Sequence, residues 1–128
     1  MKILVPISVG ELFDKISILE IKKIKIKDSS KLKDIKFELK ELKQITKKKK
    51  INKEDNKTQY IKLLNINKRL WNIEDKKRSY EKTKKFDKTF IELARKVYLL
   101  NDQRAKIKNK INLNSGSKIK EVKSYEKY

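Results

Sequence analysis

Asp87-Lys88-Thr89-Phe90-Ile91-Glu92-Leu93-Ala94-Arg95-Lys96-Val97-Tyr98-Leu99-Leu100-Asn101-Asp102-Gln103-Arg104-Ala105-Lys106-Ile107-Lys108-Asn109-Lys110-Ile111-Asn112 is the stretch on which the fold turns. Phe90, Leu93, Ala94, Val97, Leu100, Ile107 and Ile111 recur at helical spacing, so one face of a long helix is apolar. Asp87 is placed as its N-cap, and Phe86 is placed to staple onto Ile91. Asn112-Leu113-Asn114-Ser115-Gly116 reads as its stop, with Gly116 supplying the left-handed residue. Upstream, a helix from about Thr58 to Thr83 carries Leu63, Ile66, Leu70, Ile73 and Tyr80 on one stripe, widened by Leu64 and Trp71. Leu32, Ile35, Leu39 and Leu42 form a narrower stripe in steps of three and four, and Asp28-Ser29-Ser30 before them is a short break rich in capping residues. So short a break folds two helices back on each other. The first helix opens at Ser8-Val9-Gly10-Glu11, which has the capping-box form, and runs to about Lys27. Its Leu12, Phe13, Ile16, Ile18, Leu19, Ile21, Ile24 and Ile26 cover more than one stripe, so it is expected to touch several neighbours.

The ends and one internal segment lack this period. Ile3, Val5, Ile7 and Val9 alternate, as in a short half-buried strand or an extended arm, and Pro6 restricts such a strand to an edge. The tail from Lys118 to Tyr128 places Ile119, Val122 and Tyr125 among charges and fits strand or coil equally. Residues 47–57, opening with four consecutive lysines, read as a mobile, solvated linker. The expected architecture is mainly α: a single helical domain over residues 1–128. In it, antiparallel helical hairpins form a four-helix bundle or an elongated coiled-coil-like unit, with short extended N- and C-terminal segments.

Composition removes most enzyme classes. The chain has 128 residues, Lys+Arg 37 against Asp+Glu 17, a formal charge of +20, no His, no Cys and two Gly. Without Cys there is no thiolate nucleophile, disulfide or sulfur-ligated metal site. Without His the commonest general base and metal ligand are gone. With glycine only at Gly10 and Gly116, no phosphate-cradling glycine loop can be written, and no cofactor is expected. Counted along the chain, residues 1–27, 28–58, 59–86, 87–112 and 113–128 carry +3, +5, +6, +4 and +2. That even spread, with Lys, Ile and Asn all having A/T-rich codons, points to mutational bias more than to a dedicated nucleic-acid surface. Weak, salt-sensitive polyanion binding is expected all the same. No stretch approaches a membrane span, and the apolar opening is ended by Glu11 and Asp14 short of a signal peptide, so a cytoplasmic protein is expected.

Polar residues inside apolar stripes are the candidate site. Arg104 lies among inner-face positions of the last helix with Asn101 beside it, and Glu20 lies four residues from both Ile16 and Ile24. Burying an unpaired charge costs several kcal/mol, so a Glu20–Arg104 bridge that fixes helix register is the first expectation, ahead of a cationic ligand pocket. All but four of the 37 basic residues are lysine. The exceptions, Arg69, Arg78, Arg95 and Arg104, invite attention because only guanidinium makes a planar two-pronged bond. Trp71, Glu74, Asp75 and Arg78 form one grouping, with Glu74 and Arg78 at i, i+4, and Glu92 and Arg95 form another at i, i+3. Ser115-Gly116-Ser117-Lys118 reads as a helix stop before it reads as a phosphate cradle.

The run from Lys2 to Lys22, Lys-Ile-Leu-Val-Pro-Ile-Ser-Val-Gly-Glu-Leu-Phe-Asp-Lys-Ile-Ser-Ile-Leu-Glu-Ile-Lys, together with Leu70-Trp71-Asn72-Ile73-Glu74-Asp75 and Phe90-Ile91-Glu92-Leu93-Ala94-Arg95-Lys96-Val97-Tyr98 with Asn101-Asp102 and Arg104-Ala105, resembles a family of small uncharacterised bacterial and phage proteins, a domain of unknown function. The resemblance covers nearly the whole chain except residues 47–57. It implies an all-helical intracellular protein, sometimes encoded near surface-polysaccharide genes, and assigns no reaction. Three functional readings follow: a non-enzymatic helical interaction protein with a protein partner or a second copy, a small helical enzyme or binder of a phosphate or carboxylate ligand, and a non-specific nucleic-acid-binding protein.

Overall fold

Four helices account for every regular element: α1 (Val9–Lys25), α2 (Ser29–Lys48), α3 (Lys53–Lys82) and α4 (Lys88–Asn114). The computed structural model describes residues 1–128, the side chain of Lys53 excepted, and no strand occurs among the described residues. Each helix starts where a side-chain oxygen takes up free amides of the first turn. Ser8 Oγ accepts from the Glu11 N–H at 3.0 Å, and Asp28 from Lys31 at 2.9 Å. Asn52 accepts from Glu54 and Asp55, and Asp87 from Phe90 at 3.1 Å. α2, α3 and α4 stop alike, with Lys50, Lys84 and Gly116 at φ 51°, 55° and 62°. The next amides, of Ile51, Lys85 and Ser117, close back onto Thr46, Tyr80 and Asn112, the six-to-one bond of a Schellman ending.

Of the two readings of the alternating N-terminal segment, strand or arm, the strand does not form: residues 1–7 are exposed chain without regular structure, and Val9 already belongs to α1. Two other expectations change. The segment 47–57 is helical at both ends, and only residues 49–52 join α2 to α3, because the Lys50 stop and the Asn52 cap lie two residues apart. Phe86 meets Phe90 edge to face, ring centroids 5.2 Å apart, and Ile91 is more than half exposed.

α1 is the hub. It is approached by α2, α3 and α4, whereas α2 comes close to no helix but α1. The breadth of its apolar surface explains this: Leu12, Phe13, Ile16 and Leu19 are all buried, with Ile35 and Leu39 of α2, Leu63 of α3 and Ile111 of α4. α3 and α4 run antiparallel, since Asn56 meets Ser115 at one end and Tyr80 meets Phe90 at the other. At 30 residues α3 spans about 45 Å and the 17 residues of α1 about 25 Å, so α1 covers only one end of the α3–α4 hairpin. A second small core of Ile66, Ile73, Leu93 and Leu100 joins α3 to α4 from the level of α1 outward, and beyond α1 the hairpin continues as a two-helix stalk. The molecule is thus a helical bundle at one end and an elongated hairpin at the other. No helix is long and apolar enough to cross a membrane.

Candidate functional site

α1 carries Gly10, Asp14 and Ser17 in steps of four and three, and α4 carries Asn101, Arg104, Lys108 and Asn112 in steps of three, four and four. Such spacing gives each helix a narrow polar stripe beside its apolar one, and the two stripes face each other. Gly10 sets how closely they approach. Its N–H donates to Asn112 Oδ1 at 2.6 Å, and a methyl group on its Cα would run into the Lys108 carbonyl and lie 2.8 Å from Asn112 Oδ1. Ser117 Oγ takes the Val9 N–H at 3.4 Å, so the first turn of α1 is stitched to the end of α4.

Asp14 sits at the centre, 1% exposed. Its Oδ1 accepts from Arg104 Nε and Asn67 Nδ2, both at 2.9 Å, and its Oδ2 accepts from Arg104 Nη2 at 2.5 Å. This two-pronged bond is the geometry that lysine cannot supply. Asn67 of α3 also donates to Ser17 Oγ at 2.7 Å, and that hydroxyl donates to the Asp14 carbonyl. Arg104 Nη1 reaches Asn101 Oδ1 at 3.3 Å. One turn further along α4, the buried Lys108 ammonium lies 2.7 Å from Glu11, 2.6 Å from Glu121 and 3.8 Å from Asp14. Burial works against the charge on both cations. The hydrogen bonds that Arg104 donates to Asp14, the close ion pairs of Lys108 with Glu11 and Glu121, and the negative charge of the neighbouring carboxylates together outweigh it, so both hold their protons above the ordinary range.

Glu121 brings the C-terminal tail to the cluster. Asn109 binds the Glu121 backbone on both sides, donating to its carbonyl at 3.0 Å and accepting from its N–H at 3.1 Å. Lys123 then donates to the Asn101 carbonyl, and the Tyr128 hydroxyl donates to Asp102 while its ring lies 5.2 Å from that of Tyr98. The tail therefore runs back along α4, held by polar contacts, with Val122 and Tyr125 exposed. The Asp102 bond raises the Tyr128 phenol above its usual pKa.

Of the residues singled out in the sequence, Arg104 and Asn101 stand together here. The Glu20–Arg104 pair does not form. Glu20 lies six residues from Asp14, about two-thirds of a turn round α1, faces α2, and pairs with Lys43 at 2.5 Å. Beside it Tyr60, stacked against Phe13, has its phenol pushed up to about 12 by burial and then by Glu20. Trp71, Glu74 and Arg78 belong to the stalk. There Glu74 meets Lys77 at 3.3 Å and Arg78 at 4.0 Å, with the Arg78 side chain 82% exposed. Arg95 is exposed and makes no ion pair with Glu92 among the described residues. Ser115-Gly116-Ser117 forms the α4 stop, and Ser115 Oγ accepts from Asn56 at 3.1 Å.

Asp14, Asn67, Lys108, Glu11 and Glu121 were not among the expected residues. The usable signal was the small and polar stripe of Gly10, Asp14 and Ser17 at helical spacing. Nothing in the order of residues marks Asn67 or Glu121. Three carboxylates facing two cations leave no positive excess for an anionic ligand, and the Ser17 hydroxyl is sealed from solvent. What the arrangement does is hold α1, α3, α4 and the tail in one register through bonds whose loss leaves charges buried.

A sequence model of a family of unknown function, DUF6165, matches residues 1–128. No curated protein and no solved structure matches the chain.

Proposed function

The chain belongs to this family of unknown function, and we propose that it works as a non-enzymatic helical interaction protein of the cytoplasm whose partner covers the apolar arm at its N-terminus, a second copy of the chain being the first candidate. The observation that supports this reading is the exposure of Ile3, Leu4 and Val5, at 74%, 83% and 67%, on a segment whose one ion pair among the described residues is Lys2–Glu41. The arm borders the tail in a cleft of about 250 Å³ lined by Pro6, Ile7, Lys108, Ile119 and Glu121. Exposed Ile119 extends the apolar surface there, and apolar patches of this kind mark sites of protein contact. The neutralised cluster supports a structural role for Arg104 over an anionic ligand, since its strongest donors are engaged by Asp14. The resemblance to proteins encoded near surface-polysaccharide genes makes an enzyme of that assembly the first heterologous partner to try.

The test is particle mass by light scattering over a concentration series, for the wild type and for the Leu4→Asp, Val5→Asp double variant. Wild type is expected at twice its 15.3 kDa, and the variant at the monomer mass. A wild type that stays monomeric at every concentration would dispose of self-association through the arm.

A further inference from the structure

Counted along the chain the positive charge is even, but folding gathers part of it. Lys36, Lys40, Lys43 and Lys47 follow one another in steps of four, three and four on α2. At about 100° per residue they fall within an arc of about 60°. The acids of the same helix, Asp34, Glu38 and Glu41, centre about 160° away on that wheel, and Glu41 is already taken by Lys2 at 2.5 Å. Across the α1–α2 seam Lys23 closes the other side. The five lysines line a groove of about 350 Å³ whose apolar floor is Leu39. Of the five, Lys43 is partly neutralised by Glu20, while Lys23, Lys36, Lys40 and Lys47 are exposed.

We propose that this groove between α1 and α2 is a binding site for the phosphodiester backbone of a nucleic acid, gripped by its charge and without readout of its bases. A row of like charges spaced about one per helical turn over roughly 16 Å suits a linear ligand that repeats one negative charge. Four exposed ammonium groups in a concave channel make the potential there more positive, which lowers the energy of an anionic ligand lying in it. Base readout lacks its tools here: no arginine lines the groove to fork onto a guanine edge, and no aromatic ring lines it to stack a base. A bilayer surface is the poorer fit, because a flat headgroup plane does not enter a groove and the apolar residue beneath these lysines, Leu39, is 4% exposed. The site lies on α2 and α1, and it does not depend on the apolar arm or its partner.

The experiment compares two triple variants that lose the same three charges. Lys36→Gln, Lys40→Gln, Lys47→Gln removes three of the four exposed lysines of the groove, and Lys62→Gln, Lys68→Gln, Lys76→Gln removes exposed lysines of α3. Binding of labelled oligothymidylate, of a mixed-sequence duplex and of phosphatidylserine vesicles is titrated over a series of salt concentrations. For the single strand, the groove variant is expected to lower the slope of log affinity against log salt by about 2, three contacts at about 0.7 each. The α3 variant should keep the wild-type slope, and sequence changes in the oligonucleotide should leave affinity unaltered. Equal losses in the two variants would return the charge to a general surface effect and overturn the proposal. So would wild-type affinity for vesicles exceeding that for both nucleic acids, which would reassign the groove to membrane, or the absence of any oligonucleotide binding at low salt.

Discussion

The two ends of the α3–α4 hairpin are built from the same two helices and held by different means. At the end that α1 covers, Leu63 and Ile111 are fully buried and Asp14, Ser17, Asn67, Lys108 and Asn112 are buried with them. At the stalk end the core is one seam, Ile73 against Leu93 and Leu100 with Tyr80 beside it, and every ion pair is on the surface. A third helix is what changes the character of the charges. Once α1 excludes water, an ion pair becomes costly to break, whereas the exposed pairs of the stalk contribute at most about 1 kcal/mol.

That contrast is broken most severely at Arg104. Arg104→Met leaves the 1% exposed Asp14 without its two-pronged partner, and the expected loss is about 3–5 kcal/mol by urea denaturation. Arg78→Met in the stalk should cost less than about 1 kcal/mol. In a double-mutant cycle of Asp14→Asn with Arg104→Met, the double variant should lose clearly less than the sum of the single losses. Additive losses, or an Arg78 variant as damaging as the Arg104 one, would erase the distinction between the two ends.

Gly10 tests the spacing of the stripes. Gly10→Ala inserts a methyl against the Lys108 carbonyl and Asn112 Oδ1; the Asn112 side chain can turn aside, but the carbonyl cannot retreat without moving α4. The expected cost is about 1–3 kcal/mol, although alanine ordinarily stabilises a helix interior relative to glycine. Hydrogen exchange should show the loss spread over α1 and the adjoining halves of α3 and α4. Unchanged stability would mean that the helices do not approach as closely as described.

How much of this was legible follows the same division. Helix starts were readable because caps are local: Ser8 and Asp87 bond amides three residues away. So was the stop at Gly116. The beginning of α3 was missed because Asn52 sits just after a lysine run that carries no apolar period. At the site, Arg104 and Asn101 could be found by position on a helix face, but the partner of Arg104 could not. Choosing Asp14 over Glu20 requires knowing which side of α1 meets α4, and both acids interrupt apolar residues. Glu121 lies on a tail without periodicity, seventeen residues beyond Arg104, and only folding brings it to Lys108.

An alkaline titration sharpens the comparison with a smaller effect. Lys108 and Tyr60 both keep their protons above their ordinary pKa in the folded protein, Tyr60 to about 12. A group whose pKa is raised on folding contributes stability that is complete below the unfolded value and fades as pH climbs through the folded one. Stability should therefore start to fall near pH 10 and keep falling toward 12. Tyr60→Phe should flatten part of that decline, and substitutions of the surface acids Glu74 and Glu81 in the stalk should leave its shape unaltered. A curve unchanged by Tyr60→Phe would show that its phenol is not the group released.

The smallest expected effect is a gain. Lys50 and Lys84 hold left-handed backbone at φ 51° and 55° where Gly116 does the same duty at 62°. A lysine Cβ crowds the following carbonyl in that conformation, at a cost of about 1–2 kcal/mol for a side-chain-bearing residue. Glycine escapes the crowding but leaves a freer unfolded chain, so Lys50→Gly and Lys84→Gly should each stabilise by only about 0.5–1 kcal/mol. The two sites differ in what the gain reaches. Lys50 closes α2 beside the packed end of the molecule, so its gain should appear in global unfolding. Lys84 lies in the turn at the tip of the stalk, where opening is expected to be local. Its gain should appear chiefly as slower hydrogen exchange of amides near Tyr80 and Phe90, with a smaller change in the denaturation midpoint. Equal gains in the midpoint at both positions would mean that the stalk unfolds together with the bundle, and that its single apolar seam is more strongly coupled to α1 than its cores suggest.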